Sequence, residues 1–96
     1  IAAEGYPAAP VPGDLIEGIE EAEQIRGTYL LHAGTVTRDG ALRSSGGRVM
    51  NVVGTGKDVA GARAAAYAAA ARVRLRGSWY RTDIAAQPWP SVSAPR

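Results

Sequence analysis

The distribution of hydrophobic and polar positions along the chain predicts several short strands. Extended runs cover residues 28–31 and 41–44, and the β-branched run at residues 48–53 also favours a strand. Residues 1–3 have the character of a further short strand. Between the first two runs stands Asp39-Gly40, the pair that accepts the positive φ angles of a tight type I′ hairpin turn. We therefore expect a sheet with at least three antiparallel strands.

Two helices are predicted, one short and one long. The short, acidic one covers residues 14–22 and starts at Asp14, which stands where an N-cap would, with Glu17 three positions later. The long one follows a second capping residue, Asp58, and Gly77 is its predicted end. Its alanine content favours a helix, and its small side chains would let it lie close to the sheet. The apolar positions that recur three or four residues apart are Val59, Ala62, Ala66, Ala69, Ala70 and Val73.

These elements predict the α+β class, with a small antiparallel β-sheet packed with one long Ala-rich helix and a short helix. A chain of 96 residues is long enough for one small domain with a modest core. We assign residues 1–86 to that domain. Residues 87–96 contain three prolines and show no periodicity, so we interpret them as a Pro-rich tail.

Composition narrows the classes of function. The chain has no cysteine, which excludes disulfides and thiolate metal sites and is natural for a reducing cytoplasm. No apolar run is long enough to span a membrane, and the start lacks a secretory signal pattern. A formal net charge of +2 is too small to indicate that the chain binds nucleic acid. We therefore expect a cytoplasmic chain with no membrane or nucleic-acid partner, and its first residue, Ile1, suggests a fragment.

Two glycines followed by an arginine form the strongest candidate site. Gly46 and Gly47 would let a ligand approach the backbone closely, and Arg48 offers a planar fork for phosphate or carboxylate. The alternative is a bulge or loop in which Arg48 pairs with a nearby carboxylate. The sole histidine, His32, is either structural or site-lining. Since no second histidine or cysteine can join it, we predict no metal site.

Other polar patterns favour structural interpretations. Residues 54–58 lie between a strand and a helix, but they lack the glycine spacing of phosphate or dinucleotide loops, so a plain turn is expected. The acidic side chains of residues 17–23 scatter around a helix and indicate a solvated face. The positive charges of three arginines near the end of the long helix would compensate the partial negative charge of its C-terminus. Alternatively, they would form a small basic module that binds an anionic partner. These arginines are Arg72, Arg74 and Arg76.

Five short motifs occur in the order in which the C-terminal domain of phosphoribosylamine–glycine ligases carries them, and residues 1 to about 84 resemble that family. Ala62-Arg63 and Ala66-Tyr67 on the long helix are also placed as the family places them. The His-Ala-Gly-Thr and Ser-Gly-Gly-Arg motifs argue against the nearest alternative, the C-terminal domain of another ATP-grasp ligase or carboxylase. The five motifs are Gly5-Tyr6-Pro7, Gly13-Asp14-Leu15-Ile16, His32-Ala33-Gly34-Thr35, Ser45-Gly46-Gly47-Arg48-Val49 and Tyr80-Arg81-Thr82-Asp83-Ile84.

The resemblance implies part of an ATP-grasp enzyme of purine biosynthesis, which joins glycine to 5-phosphoribosylamine to give glycinamide ribonucleotide, ADP and phosphate. ATP and magnesium would be bound by ATP-grasp domains upstream in the same polypeptide, against which this domain would pack. The chain itself would then hold no catalytic residue. Within it, the resemblance implies that Arg48 contacts the substrate phosphate, that Gly46 and Gly47 allow backbone approach, and that His32 and Thr35 line the wall of the cleft.

Overall fold

Two helices and four strands make up the part of the chain that the structure describes, residues 1–86 of a computed structural model. The predicted α+β class, with antiparallel strands, one long and one short helix, is confirmed. The predicted tail at residues 87–96 lies outside the described residues. In chain order the elements are α1 (Ile19–Glu23), β1 (Thr28–His32), β2 (Thr35–Arg38), β3 (Ala41–Ser44), β4 (Met50–Gly54) and α2 (Val59–Ala70).

The strands form two antiparallel pairs, so the expectation of one sheet with three or more strands is wrong. β1 pairs with β4, and β2 pairs with β3. The predicted turn at Asp39-Gly40 is confirmed, with positive φ at both residues (56° and 77°), as a type I′ turn requires. It joins β3 to the unpredicted strand β2, however, and not to the run at residues 28–31, which lies in β1 and pairs with β4. Only Ala33 and Gly34 separate β1 from β2, and both of their amides donate to the Val49 carbonyl at 3.0 Å. The chain therefore turns away from β4 at this point.

The strand expected at residues 1–3 is reduced to isolated bridges. Ala2 pairs with Arg48 on one side and with Trp79 on the other. The amide of Ala2 donates to the Trp79 carbonyl at 2.8 Å, and the amide of Trp79 donates back at 3.0 Å. This segment therefore connects the chain just before β4 to the segment that follows α2.

The short helix begins later than predicted, and Asp14 is not its N-cap. The N-cap is Gly18, with φ 86° and no side-chain capping bond. The backbone of Asp14 instead pairs with Ser44, whose amide donates to the Asp14 carbonyl at 2.9 Å, and the Asp14 carboxylate accepts from Arg76 at 3.0 Å. Backbone pairing with a distant strand thus overrides the local capping signal.

The long helix is capped as predicted, because Oδ1 of Asp58 accepts from the amide of Gly61 at 2.7 Å. Its predicted end at Gly77 is wrong, since the helix finishes at Ala70. Beyond it, Arg74 exchanges two backbone hydrogen bonds with Glu17, at 2.7 and 2.9 Å, and these hold the chain in an extended conformation. Neither helix within residues 1–86 is long and apolar enough to cross a membrane.

The core lies between the two helices and one face of the β1–β4 pair. Leu30 of β1 and Met50 of β4 are buried with the alanines of both helices, Ala22 and Ala69. The predicted close approach of α2 to the strands is confirmed at Gly54, where a Cβ atom would overlap the helix backbone.

The opposite face of the β1–β4 pair is not covered by any element of residues 1–86. Tyr29 and Leu31 of β1 are 50% and 49% exposed, and the residue opposite Tyr29 is Val53. Side chains along a strand point alternately to its two faces. We call the surface formed by Tyr29, Leu31 and Val53 the uncovered face.

Candidate functional site

Arg48 borders a surface groove between the end of β1 and the start of β4, which we call the Arg48 groove. Its lining contains no carboxylate, and within residues 1–86 Arg48 forms no ion pair. The alternative in which Arg48 pairs with a nearby carboxylate is therefore not realised in this part of the chain. The groove is lined by Ala33, Gly34, Ser45, Gly46, Arg48 and Asn51.

The backbone around Gly34 holds this groove in shape. The Gly34 carbonyl accepts from the amide of Ser45 at 2.8 Å, and its own amide donates to the Val49 carbonyl. A Cβ atom on Gly34 would lie 2.7 Å from the Arg48 carbonyl oxygen, closer than a side chain allows. The His-Ala-Gly-Thr and Ser-Gly-Gly-Arg motifs are thus adjacent in space, and a glycine is needed where they touch.

A β-bulge lies just before β4 and brings Arg48 and Asn51 to the same groove. The amides of Val49 and Met50 both donate to the Ile1 carbonyl, at 2.9 and 3.4 Å, so that two residues oppose one. Val49 and Met50 are each 1% exposed, whereas Arg48 and Asn51 are both exposed. In a regular strand, residues 48 and 51 would point to opposite faces. The bulge also explains why the strand predicted to start at Arg48 begins at Met50.

The two glycines before Arg48 have different surroundings. A Cβ atom on Gly46 would meet nothing nearer than the Gly34 Cα at 3.7 Å, and Gly46 borders the groove. Gly47 does not line it, and a Cβ atom there would overlap the ring of Tyr6. The contact with Tyr6 therefore explains why residue 47 is a glycine. The approach of a ligand to the backbone of Gly47 stays a prediction.

His32 and Thr35 lie across the short link between β1 and β2. Nδ1 of His32 and Oγ1 of Thr35 are 2.8 Å apart and hydrogen-bonded. The structure does not bring them to the Arg48 groove. His32 instead borders a second groove beside α1, together with Glu20 and Glu21. A role of His32 and Thr35 as wall residues stays a prediction.

The segment after α2 forms an adjoining surface. Arg48 and Asn51 also border a groove whose other wall includes Tyr80 and Arg81. Arg81 is bound to Asp83 through two hydrogen bonds, of 2.6 and 3.0 Å. This hydrogen-bonded pair lowers the pKa of the Asp83 carboxyl below its ordinary value and raises the pKa of the Arg81 guanidinium. The positive charge of Arg81 is thus balanced locally, whereas that of Arg48 is not among residues 1–86.

Two side chains of α2 hold that segment in place, and they were not anticipated as a pair. Arg63 donates from Nε to the Ile84 carbonyl at 2.9 Å and from Nη2 to the Thr82 carbonyl at 2.6 Å. The Tyr67 hydroxyl donates to the Arg81 carbonyl at 2.5 Å and accepts from the Ile84 amide at 3.1 Å. The signal in the sequence that could have grouped them is their spacing, because residues four apart share one face of a helix.

Two of the three basic residues predicted as a group after α2 are paired with carboxylates. Arg76 pairs with Asp14 at 3.0 Å and Arg74 with Glu21 at 3.7 Å. The hydrogen bond from Arg76 to Asp14 raises the pKa of its guanidinium. This arrangement gives no support to a basic binding module. No group of three or more His, Asp or Glu side chains within residues 1–86 is placed to hold a metal ion.

The fold and the groove define a small α+β domain with an arginine-bordered groove and one uncovered apolar face. Residues 1–87 match the family described as "Phosphoribosylglycinamide synthetase, C domain", and the chain belongs to this family. The predicted resemblance is confirmed.

Three relatives illustrate this membership. The chain is 47% identical over 89 residues to the phosphoribosylamine–glycine ligase of Streptomyces coelicolor, covering 91% of the chain and 21% of that protein. It is 52% identical over 85 residues to the ligase of Mycobacterium tuberculosis, covering 88% and 19%. The crystal structure of the Thermotoga maritima ligase matches with a TM-score of 0.73 and 40% identity, covering 85% and 19%. The chain thus spans about a fifth of the length of these relatives.

Proposed function

We propose that the chain is the C-terminal domain of a phosphoribosylamine–glycine ligase, which uses ATP to join glycine to 5-phosphoribosylamine and gives glycinamide ribonucleotide, ADP and phosphate in purine biosynthesis. The main support is family membership over residues 1–87. The Arg48 groove supports it further, because two of the motifs that carry the resemblance form its walls. A cytoplasmic location goes with this function and stays a prediction.

ATP and magnesium are assigned to other domains of the same polypeptide. The described residues do not fit a magnesium site, because no three of their acidic or histidine side chains are placed to hold a metal ion together. The uncovered face supports a domain partner, since Tyr29 and Leu31 are half exposed and large apolar surfaces mark contact sites. We propose that the ATP-grasp domains pack against this face.

Arg48 is proposed to bind the phosphate of 5-phosphoribosylamine. Its guanidinium is exposed beside a groove without carboxylates, and a planar fork suits two oxygens of a phosphate. Gly46 leaves space beside it. Holding the phosphate fixes the position of the sugar, so that its amine reaches the activated glycine in the neighbouring cleft. The contribution of Arg48 is therefore binding and orientation rather than proton transfer.

The test is Arg48→Ala in a full-length ligase that carries this chain as its C-terminal domain. Loss of a charge-assisted contact should raise the KM for 5-phosphoribosylamine by about 10- to 100-fold. The KM values for ATP and glycine should stay unchanged. Arg48→Lys should give a smaller rise, because it keeps the charge but loses the fork.

Arg38→Ala is the matched control, because Arg38 is an exposed arginine beside the β2–β3 turn and outside the groove. It should leave all three KM values unchanged. An unchanged KM for 5-phosphoribosylamine in Arg48→Ala would remove the role assigned to Arg48. A rise of equal size in Arg38→Ala would show a general charge effect instead.

A further inference from the structure

We propose that Asn51 is a second substrate-binding residue, which recognises the hydroxyl-bearing pentose of the phosphorylated substrate whose phosphate Arg48 holds. This inference deepens the proposed function and rests on it. It starts from the β-bulge at Val49 and Met50, which places Asn51 beside Arg48 on the same groove.

The first argument is the chemistry of Asn51 in its strand. The other residues of β4 are Met50, Val52, Val53 and Gly54, so Asn51 carries the strand's single polar side chain. Asparagine is unfavourable in strands, and its neighbour across the β1–β4 pair is the apolar Leu31. The Asn51 carboxamide makes no hydrogen bond within residues 1–86. Its amide therefore has both donors and acceptor available for a ligand.

The second argument is the position of Asn51. It lines the Arg48 groove, the adjoining groove beside Arg81, and a third, apolar groove between β4 and Tyr67 of α2. The three grooves meet at this side chain. A ligand that extends from the Arg48 groove into either neighbouring groove therefore lies beside Asn51.

The third argument is the match between the two side chains and one ligand. The Arg48 guanidinium donates only, which suits phosphate oxygens, whereas the Asn51 carboxamide both donates and accepts. A sugar hydroxyl also donates and accepts. A phosphorylated pentose presents both kinds of group, so a pair of one arginine and one carboxamide distinguishes it from a simple anion. We assign the phosphate to Arg48 and a ring hydroxyl to Asn51.

The test is the pair Asn51→Asp and Asn51→Ala in the full-length ligase. Asn51→Asp keeps the shape but adds a negative charge next to the bound phosphate, so the KM for 5-phosphoribosylamine should rise about 10-fold or more. Asn51→Ala removes the hydrogen bonds without adding charge and should give a smaller rise. The KM values for ATP and glycine should not change in either variant.

Gln24→Glu is the matched control. It makes the same carboxamide-to-carboxylate change at an exposed position, the C-cap of α1, outside all three grooves. All KM values should match those of the unaltered ligase. A rise for 5-phosphoribosylamine equal to that of Asn51→Asp would overturn the inference, because it would show an effect of net charge alone.

The double variant Arg48→Ala/Asn51→Ala separates this inference from the proposed function. If both side chains hold one ligand, their effects on the KM for 5-phosphoribosylamine should not multiply. If Arg48→Ala raises that KM and both Asn51 variants leave it unchanged, the Asn51 inference is overturned and the proposed function stands. If the Asn51 and Arg48 variants all leave it unchanged, the proposed role of the groove fails as well.

Discussion

At the scale of single residues, the two adjacent glycines before Arg48 have different structural roles. Gly46 borders the Arg48 groove and has open space beside it, whereas Gly47 lies against the Tyr6 ring. Tyr6 also lies near Trp79, with ring centroids 6.5 Å apart. The packing of Tyr6 therefore depends on the missing side chain at Gly47, and only Gly46 is placed to affect a ligand in the groove.

We predict that Gly47→Ala destabilises the fold by about 1–3 kcal/mol, because the new methyl group would overlap the Tyr6 ring and force it to move. Urea unfolding measures the change. Gly46→Ala is the matched control, and its nearest neighbour at 3.7 Å is at an ordinary contact distance. Equal losses of stability in the two variants would contradict the different surroundings of these glycines.

At the scale of elements, α2 does more than cover the core. One of its faces packs on β4, and Arg63 and Tyr67 on the helix bind the carbonyl groups of the segment that ends at Ile84. The Arg63 guanidinium also lies 4.8 Å from the centre of the Tyr67 ring, a favourable cation–π distance. The helix thereby fixes the segment that forms a wall of the groove adjoining Arg48.

We predict that Tyr67→Phe frees this segment. The change removes one hydrogen bond to the Arg81 carbonyl and one from the Ile84 amide, which should cost about 1–2 kcal/mol of stability. Hydrogen exchange at the Ile84 amide should become faster. Thr37→Val deletes a hydroxyl from an exposed threonine on β2 and should change neither quantity. Unaltered exchange at Ile84 in Tyr67→Phe would show that the segment is held by other contacts.

The elements that could be predicted from the sequence are those with local signals. The Asp39-Gly40 turn and the Asp58 cap act within a few residues, and both were predicted correctly. The start of α1 and the end of α2 could not be predicted, because they depend on backbone pairing between residues far apart in sequence. Examples are the pairing of Asp14 with Ser44 and of Glu17 with Arg74.

The same distinction applies to the candidate site. Arg48 could be proposed from its glycine neighbours and from the family resemblance. Asn51 could not, because simple alternation places residues 48 and 51 on opposite faces of a strand. The bulge that changes this depends on hydrogen bonds to Ile1, which is far from it in sequence. A polar residue within a β-branched run was the one available hint.

At the scale of the whole molecule, the uncovered face is the surface proposed to pack against another domain. Tyr29 and Leu31 are half exposed on a strand whose other face is packed against two helices. The matched part is about a fifth of the length of the relatives, so in those proteins a large further part of the chain is available to cover this face. Asn51 lies opposite Leu31, which places the proposed substrate contact at the edge of the proposed domain contact.

We predict that Leu31→Lys destabilises the full-length ligase by about 1.5–3 kcal/mol, because burial of a leucine against another domain contributes that much. Thermal unfolding of the ligase measures the loss. Leu15→Lys is the matched control, because Leu15 is also exposed, at 41%, but lies on the segment beside β3. Exposed substitutions of this kind change stability by about 0.5 kcal/mol or less. Similar values for the two variants would contradict packing on the uncovered face.

The bulge before β4 lets two adjacent side chains, Val49 and Met50, enter the core without separating the polar residues that flank them. Deleting one of the two would leave a single residue between the arginine and the asparagine, and residues two apart in a regular strand share a face. A shortened strand would therefore keep both polar side chains on one side and would lose one buried apolar side chain. The extra residue thus serves the interior of the domain, and the polar pair would survive its loss.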